Sequence, residues 1–261
     1  MRVARSGAFA PIAFLVLAPF ATAQTPATTA TDGQWHFAAG LYGFFPAIEG
    51  SLSTRNFEQV PIDVPFSELW DHLKMNLTGH FEARRDRFGF GVDFFYVRLA
   101  APVPGAIPEF LNASVNLRQF IAETFGFYRV AQGSGERPWT VDALGGVRVW
   151  DTNTRLEADS DIVEPDGQTI TWVDGFGGVR VQVPLHPRLS LLGQGDVGAG
   201  GARLDWSASG DLAFASGKGW LLGLGYRTLN IEYDKEGREG RTRRLFDVGY
   251  NGPRSWVVYT W

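Results

Sequence analysis

No cysteine occurs in the 261 residues. Disulfides, thiolate metal sites, thiol nucleophiles and lipoprotein acylation are therefore excluded together. Beyond residue 20 there is no continuous apolar run of about 18 residues, so no helix long enough to span a bilayer can be read. Positive charge is short as well: 24 Lys and Arg stand against 28 Asp and Glu, a net charge of −4. That balance argues against nucleic acid or an anionic membrane surface as a partner. His36, His80 and His186 are too scattered to suggest a metal site, and no motif speaks for a cofactor.

The one apolar run lies at the start. Arg2 and Arg5 precede the apolar residues 8–20, and Ala21-Thr22-Ala23 follows. A positive start, a short apolar core and an A-x-A site predict a secretory signal peptide over residues 1–23, cleaved before Gln24. The run is short for a spanning helix and contains Pro11 and Pro19; an uncleaved anchor is the alternative. Without Arg2 and Arg5 the mature chain keeps 22 basic against 28 acidic side chains, a net charge of −6. Residues 24–33 (QTPATTATDG) have nothing to bury and read as a flexible periplasmic leader.

From Trp35 onward, long segments alternate with period two, the signature of strands. In residues 204–214 one face holds Leu204, Trp206, Ala208, Gly210, Leu212 and Phe214; Asp205, Ser207, Ser209 and Asp211 take the other. Residues 173–183 alternate likewise, with Asp174, Arg180 and Gln182 opposing small and apolar residues. Such strands exceed the usual five or six residues and suit a tilted bilayer crossing, which takes about 9–11. Ten segments follow the pattern: 34–45, 74–85, 88–100, 112–130, 139–153, 171–184, 189–199, 203–215, 219–233 and 243–261. Eight strands remain the alternative if the pair joined by residues 200–202 does not cross fully.

The connections fall into two kinds. Residues 86–87, 131–138, 185–188 and 216–218 are short and rich in turn formers. Residues 46–73, 101–111, 154–170, 200–202 and 234–242 are mostly longer. Short turns alternating with longer loops are expected of a membrane barrel, with turns in the periplasm and loops outside. In this layout Trp35, Phe88, Tyr128, Trp139, Trp220 and Trp261 fall at the periplasmic boundary. Tyr96, Trp150, Trp172 and Trp206 fall near the opposite ends, giving two aromatic girdles.

The residues thus predict an all-β, antiparallel up-and-down barrel over residues 34–261. "DALGGVRVW", "WVDGFGGVR", "GQGDVGAG", "GLGYR" and a closing strand with "GP" add a likeness. With them the chain resembles Gram-negative outer-membrane β-barrel proteins, in particular a group of proteobacterial barrels. The resemblance covers nearly all of the mature chain and implies the bacterial outer membrane as its location. It also implies outer-membrane lipid and lipopolysaccharide as surroundings. In that group a terminal aromatic, usually Phe, is the signal read by the barrel-assembly machinery. Here Trp261 holds the position, with Tyr259 two residues before it. The closing "SWVVYTW" would pair with the first strand, so that no edge is left in lipid. Gly252-Pro253 reads as a bulge, because Phe246, Val248 and Tyr250 have the opposite parity to Val257, Tyr259 and Trp261.

Charged residues fall opposite the lipid-facing set: Glu82, Arg84, Asp93, Glu123, Asp142, Arg148, Asp174, Arg180, Asp196, Asp211, Arg227 and Arg254. Exposure of Arg to lipid at the midplane costs about 2–4 kcal/mol, so these side chains are expected in the lumen as a paired polar network. A barrel of ten strands is narrow enough for them largely to fill it; a narrow polar pore is the alternative. If Asp86-Arg87 is a two-residue turn, counting back sets His80 opposite Asp93, a pair that could titrate near physiological pH.

Three other features stand apart from this scheme. "GQGDVG" (193–198) matches the dinucleotide fingerprint in letters, but no helix can be read after it to hold a pyrophosphate. In "PFSELWDHLK", Phe66, Leu69, Trp70 and Leu73 follow helical spacing and predict a short helix in the first extracellular loop. Asp71-His72 lies in that segment, with Asp63, Asp159 and Asp161 in loops of the same side. These acids and His72 would serve an outer-membrane hydrolase of protease or lipid A-modifying type, but adjacent residues on a helix point about 100° apart and no constellation meets the geometry of catalysis. The expected function is therefore a non-enzymatic outer-membrane barrel, a narrow pore or an envelope structural protein. The hydrolase is one alternative, and a surface adhesin or ligand receptor resting on the long loops is another.

Overall fold

The computed structural model describes residues 33–52, 60–102, 113–158, 166–235 and 244–261. The predicted signal peptide and residues 24–32 of the leader lie outside them. In chain order the described elements begin with β1 (Trp35–Phe44), β2 (Ala47–Leu52), β3 (Val60–Val64) and the helix α1 (Phe66–His72). Then come β4 (Leu73–Arg85), β5 (Phe88–Pro102), β6 (Ala113–Gln132), β7 (Thr140–Ala158) and β8 (Asp166–His186). The last four are β9 (Leu189–Gly200), β10 (Leu204–Gly217), β11 (Trp220–Lys235) and β12 (Arg244–Thr260). Each of β4 to β12 pairs antiparallel with the next, and β1 pairs with both β4 and β12. Ten strands therefore close into a barrel. The β9–β10 pair runs in register from Asp205↔Gly198 to Phe214↔Leu189, so this hairpin crosses with the rest and eight strands are too few.

Alternation explains the wall. Along β10 exposure and burial alternate at almost every residue, with Asp205, Ser207 and Asp211 inward and Leu204, Trp206, Leu212 and Phe214 outward. Tight turns join the strands at one end of the barrel. Lys218 and Gly219 both take positive φ, at 52° and 83°, as a two-residue hairpin turn with the twist of its strands requires. This turn sits one residue later than the segment 216–218 expected from sequence, because a register shift between Ala215 and Gly217 absorbs Ser216.

Two departures from expectation occur on the seam. The first connection holds two further strands: β2 pairs with the early half of β12, and β3 pairs with β2. Long β12 thus has two successive partners, β2 over Phe246–Asn251 and β1 over Arg254–Thr260. The second departure is that Gly252-Pro253 is no bulge. Pairing with β11 keeps one register from Trp220↔Tyr259 to Lys235↔Arg244. The Pro253 carbonyl accepts from Phe45 N at 3.0 Å. Its missing N–H therefore points the same way, into the break between β1 and β2, and costs the β11 ladder nothing. With no change of parity, Val248 and Tyr250 face inward and are buried.

That inward apolar patch marks a change of regime along the barrel. Over the half nearer the turns the outer face is apolar: Leu41, Val147, Val179, Leu191, Leu222 and Leu224 are all exposed. Towards the other end the outer face turns polar, with Arg118–Asp151, Thr171–Asp151, Asn153–Thr169 and Thr228–Asn251 bonded across strands. Inside, the order is reversed. Phe44, Phe95, Ile121, Trp150, Trp172, Tyr233 and Val248 belong to one buried apolar cluster at this loop end, while charged groups fill the lumen below it. Beside the apolar outer band the inside is largely charged around a small apolar cluster of Phe125, Phe127, Leu144 and Phe176; beside the polar outer belt the barrel has an ordinary hydrophobic core.

The closing wall is weakest between β1 and β4. Backbone pairing runs from Trp35↔Arg85 to Gly40↔His80 and stops. Side chains take over: the Thr78 hydroxyl accepts from Tyr42 N at 2.9 Å and donates to Tyr42 O, and Asn76 Nδ2 donates to Phe44 O at 3.4 Å. Helix α1 links β3 to β4 beside this splayed stretch. Its Phe66 and Trp70 meet Phe45 at ring distances of 5.8 Å each.

Candidate functional site

The lumen is built around two ionic nodes and one cavity. At the upper node Arg148 of β7 is fully buried. Its Nε donates to Glu123 at 2.9 Å, its Nη2 to Asp196 at 2.7 Å and its Nη1 to Asp205. Three carboxylates from β6, β9 and β10 thus converge on one guanidinium, whose plane also lies 4.7 Å from the Phe176 ring centre. Beside it, Asp174 accepts from Trp172 Nε1 and from Ala202 N, both at 2.8 Å.

At the lower node Asp142 takes three arginines: Arg84 Nη2 at 2.7 Å, Arg129 Nε at 3.0 Å and Arg180 Nη2 at 3.3 Å. Arg180 also donates to Glu82. His80 stands between two acids, with Nδ1 3.2 Å from Asp93 and Nε2 3.4 Å from Glu82. The β4–β5 register does set His80 opposite Asp93, and the Tyr42 hydroxyl donates to the same carboxylate at 2.7 Å. On the far wall Arg254 holds both oxygens of Asp211 and reaches Ser209. Arg227 lies 3.5 Å from Glu123. All twelve charged residues named from the sequence are thus inside the barrel or on its lumen wall.

Sequence reasoning left out several that matter. Asp205 and Arg129 are both buried, Asp205 completely. Asp205 was visible, since it alternates with Leu204 and Trp206. Arg129 was visible too, since it keeps the parity of Glu123, Phe125 and Phe127, and the register shift of β6 comes only after it. Tyr250 bonds Gln119 Oε1 at 2.8 Å across the lumen, and neither carries a charge to draw the eye.

Below the upper node the lumen opens into a cavity of about 610 Å³. Its lining runs from Glu123 and Arg227 down to His36, Gly219 and Trp261 beside the turns and termini. The buried members of the loop-end cluster do not line it, although Tyr42, packed against that cluster, does, as does Phe125 of a second small cluster. Among the described residues the cavity's lining reaches the turn end and stops below the loop-end cluster.

The remaining sequence features fall as follows. "GQGDVG" lies within β9, a continuous strand with no helix after it, and Gly198 leaves the space that the Asp205 carboxylate occupies. Asp63 and Asp71 are exposed, and Asp159 and Asp161 lie outside the described residues. No cluster of three metal-ligating side chains occurs among the described residues. Trp150 and Trp172 do not stand in an outer girdle. They stack face to face at 5.4 Å inside the barrel, because each shares the parity of an inward neighbour, Arg148 or Asp174.

The turn-end aromatics behave otherwise. Trp35, Phe88, Tyr128, Trp139, Trp220 and Trp261 are all exposed at the turn-end rim, where Trp261 also borders the chamber mouth. Trp261 stacks on Phe37 at 5.7 Å and on Tyr259 at 5.8 Å, and its backbone exchanges both hydrogen bonds with Phe37. An aromatic ring at one rim, an apolar outer band above it and charges confined to the inside belong to a closed sheet embedded in lipid. This is an outer-membrane β-barrel.

No family model matches the chain, and no curated protein matches it. Solved outer-membrane barrels resemble it at low identity. The translocator domain of the autotransporter NalP from Neisseria meningitidis aligns over 89% of this chain and 90% of its own, with 12% identity and a TM-score of 0.43. Ail, the attachment invasion locus protein of Yersinia pestis, aligns over 87% and 98%, with 10% identity and a TM-score of 0.35. Neisserial surface protein A gives 86% and 96%, with 11% identity and 0.32.

Proposed function

We propose that this outer-membrane barrel is a non-enzymatic envelope protein whose lumen is shut at the loop end, a structural barrel with a one-ended polar chamber rather than a through-pore. The observation that carries this reading is the apolar cluster across the loop end. Seven barrel strands contribute to it, and Trp150, Ile231 and Val248 within it are at most 2% exposed. A hydrated ion has no polar path through such a layer, and the Arg148 node beneath it is saturated with its own carboxylates.

The orientation that fits is turns toward the periplasm, which places the chamber mouth on that side and the polar outer belt in the external medium. Phe45, Phe66 and Trp70 then lie where lipopolysaccharide meets the wall. A cleaved signal peptide delivers the chain across the inner membrane, and the Tyr259–Trp261 terminus serves as the signal to the assembly machinery.

Single-channel recording in planar bilayers tests the reading. Purified barrel should insert without stepwise ohmic conductance at neutral pH in 1 M KCl (roughly 3 Å screening length). Regular open-channel steps from the wild-type protein would reverse it in favour of the pore.

A further inference from the structure

We propose that the turn-end chamber is a binding site for a small amphipathic anion, a carboxylate or phosphate ester on an apolar body, with Arg227 as its charge partner. The chamber exists whether or not the loop end conducts, so the site goes beyond the closed-barrel reading and does not depend on it.

The first argument is the state of the charges on the wall. The acids are saturated. Asp142 accepts from three arginines, Glu82 lies between Arg180 and His80, and Asp93 takes His80 and Tyr42. Asp211 holds Arg254 twice and receives Trp256 Nε1 at 3.4 Å. Arg227 is in the opposite position. Its one acid within salt-bridge distance among the described residues is Glu123, at 3.5 Å, and that carboxylate already accepts from Arg148 Nε at 2.9 Å. A guanidinium carries five donors and stays charged, so most of the donor capacity of Arg227 is unused. Spare capacity in the chamber is donor capacity, which an anion fills and a cation does not.

Register gives the anion its neighbours. Gln194 pairs with Ser209 and Ser209 with Arg227, so the three inward side chains form one row across β9, β10 and β11. An amide and a hydroxyl beside a guanidinium supply the lateral hydrogen bonds that fix a carboxylate or phosphate in place.

The second argument concerns the rest of the ligand. Between that row and the mouth the wall carries the Asp211–Arg254 pair and Ser190, and beside them a run of apolar side chains, Leu192, Ala213, Ala215, Leu221 and Val258. A volume of about 610 Å³ lies in the range of small-molecule pockets, roughly 300–1,000 Å³. An anionic head seated at Arg227 leaves an apolar body against this collar, on the way out to the turn end.

The test is calorimetric titration of the barrel in phosphatidylcholine nanodiscs with phenyl phosphate, benzoate and benzylammonium, each corrected with empty nanodiscs. Both anions should bind the wild-type protein at one site and benzylammonium should not. Arg227→Gln should weaken anion binding about tenfold or more, and Arg227→Lys should recover part of it. Folding of each variant is checked by its heat-modifiable mobility. If Arg227→Gln does not fold, the preference of the wild type for anion over cation still decides. Absence of anion binding, equal binding of benzylammonium, or unchanged affinity in a folded Arg227→Gln variant would each overturn the proposal.

Discussion

Arg148→Met should destabilise the barrel by about 4–5 kcal/mol, the upper part of the range for breaking a buried ion pair from one side. Methionine keeps much of the packed stem beside Phe176 but removes the charge. Glu123, Asp196 and Asp205, all nearly inaccessible to water, are then left facing one another without a common donor. Their desolvation was offset chiefly by the guanidinium among them. Each of these acids has at most one further partner to fall back on: Arg227 for Glu123 at 3.5 Å, and the Ser207 hydroxyl for Asp196 at 2.6 Å. Urea unfolding of the protein in lipid vesicles, followed by tryptophan fluorescence, reads the loss. Arg203→Met is the matched control. Arg203 pairs with Glu232 at 2.6 Å on an exposed rim, where an ion pair contributes about 0–1 kcal/mol. Equal losses from the two variants would remove the upper node from the account of stability.

The second large effect is expected at the seam. Gly40 stands opposite Val258 where β1 closes on β12. A Cβ there would lie 2.2 Å from the Val257 carbonyl oxygen and 2.9 Å from the Val258 Cα. Both are backbone atoms and neither can rotate away. Gly40→Val therefore forces the first and last strands apart, and the ladder from Ala38↔Thr260 to Phe44↔Arg254 is lost. In lipid the freed N–H and C=O groups find no water, at several kcal/mol for each. The variant should fail to give the compact, heat-modifiable form during refolding. Gly210→Val provides the comparison, since a Cβ at Gly210 meets nothing within 4 Å, and it should refold normally. A Gly40→Val protein that folds as well as Gly210→Val would show that closure does not depend on this contact.

Much of this architecture was legible because a wall between a polar lumen and lipid imposes a strict two-residue period. Residues 204–214 announce β10 in both faces, and the strand bounds read from alternation fall within a few residues of those observed for β1, β4, β9 and β10. Legibility ended where the surroundings change. Trp150 and Trp172 were assigned to a girdle by their position near strand ends, although their parity with Arg148 and Asp174 already turned them inward. Val248 and Tyr250 suggested a bulge because an inward apolar residue contradicts a polar lumen. Both errors share one cause: above the apolar outer band the barrel is an aqueous β-structure, and its inside and outside exchange character. β2 and β3 were unreadable for a different reason. They are short, and their order comes from pairing with the long early half of β12, a contact almost 200 residues away in sequence (Phe246↔Leu52). Among the site residues, charge made the twelve lumen positions visible, while the unused donor capacity of Arg227 emerged only from distances.

The central claim is that the lumen is open from the turn end and shut by an apolar layer at the loop end. Because the chain has no cysteine, single substitutions report cleanly. Ser209→Cys places a thiol on the chamber wall, and Ile231→Cys places one in the apolar layer, where the native side chain is 1% exposed. A membrane-impermeant methanethiosulfonate reagent applied to the folded protein in vesicles should modify the Ser209→Cys variant readily. The Ile231→Cys variant should stay unmodified until urea unfolds it. Modification of both at similar rates in the folded barrel would contradict the closed loop end.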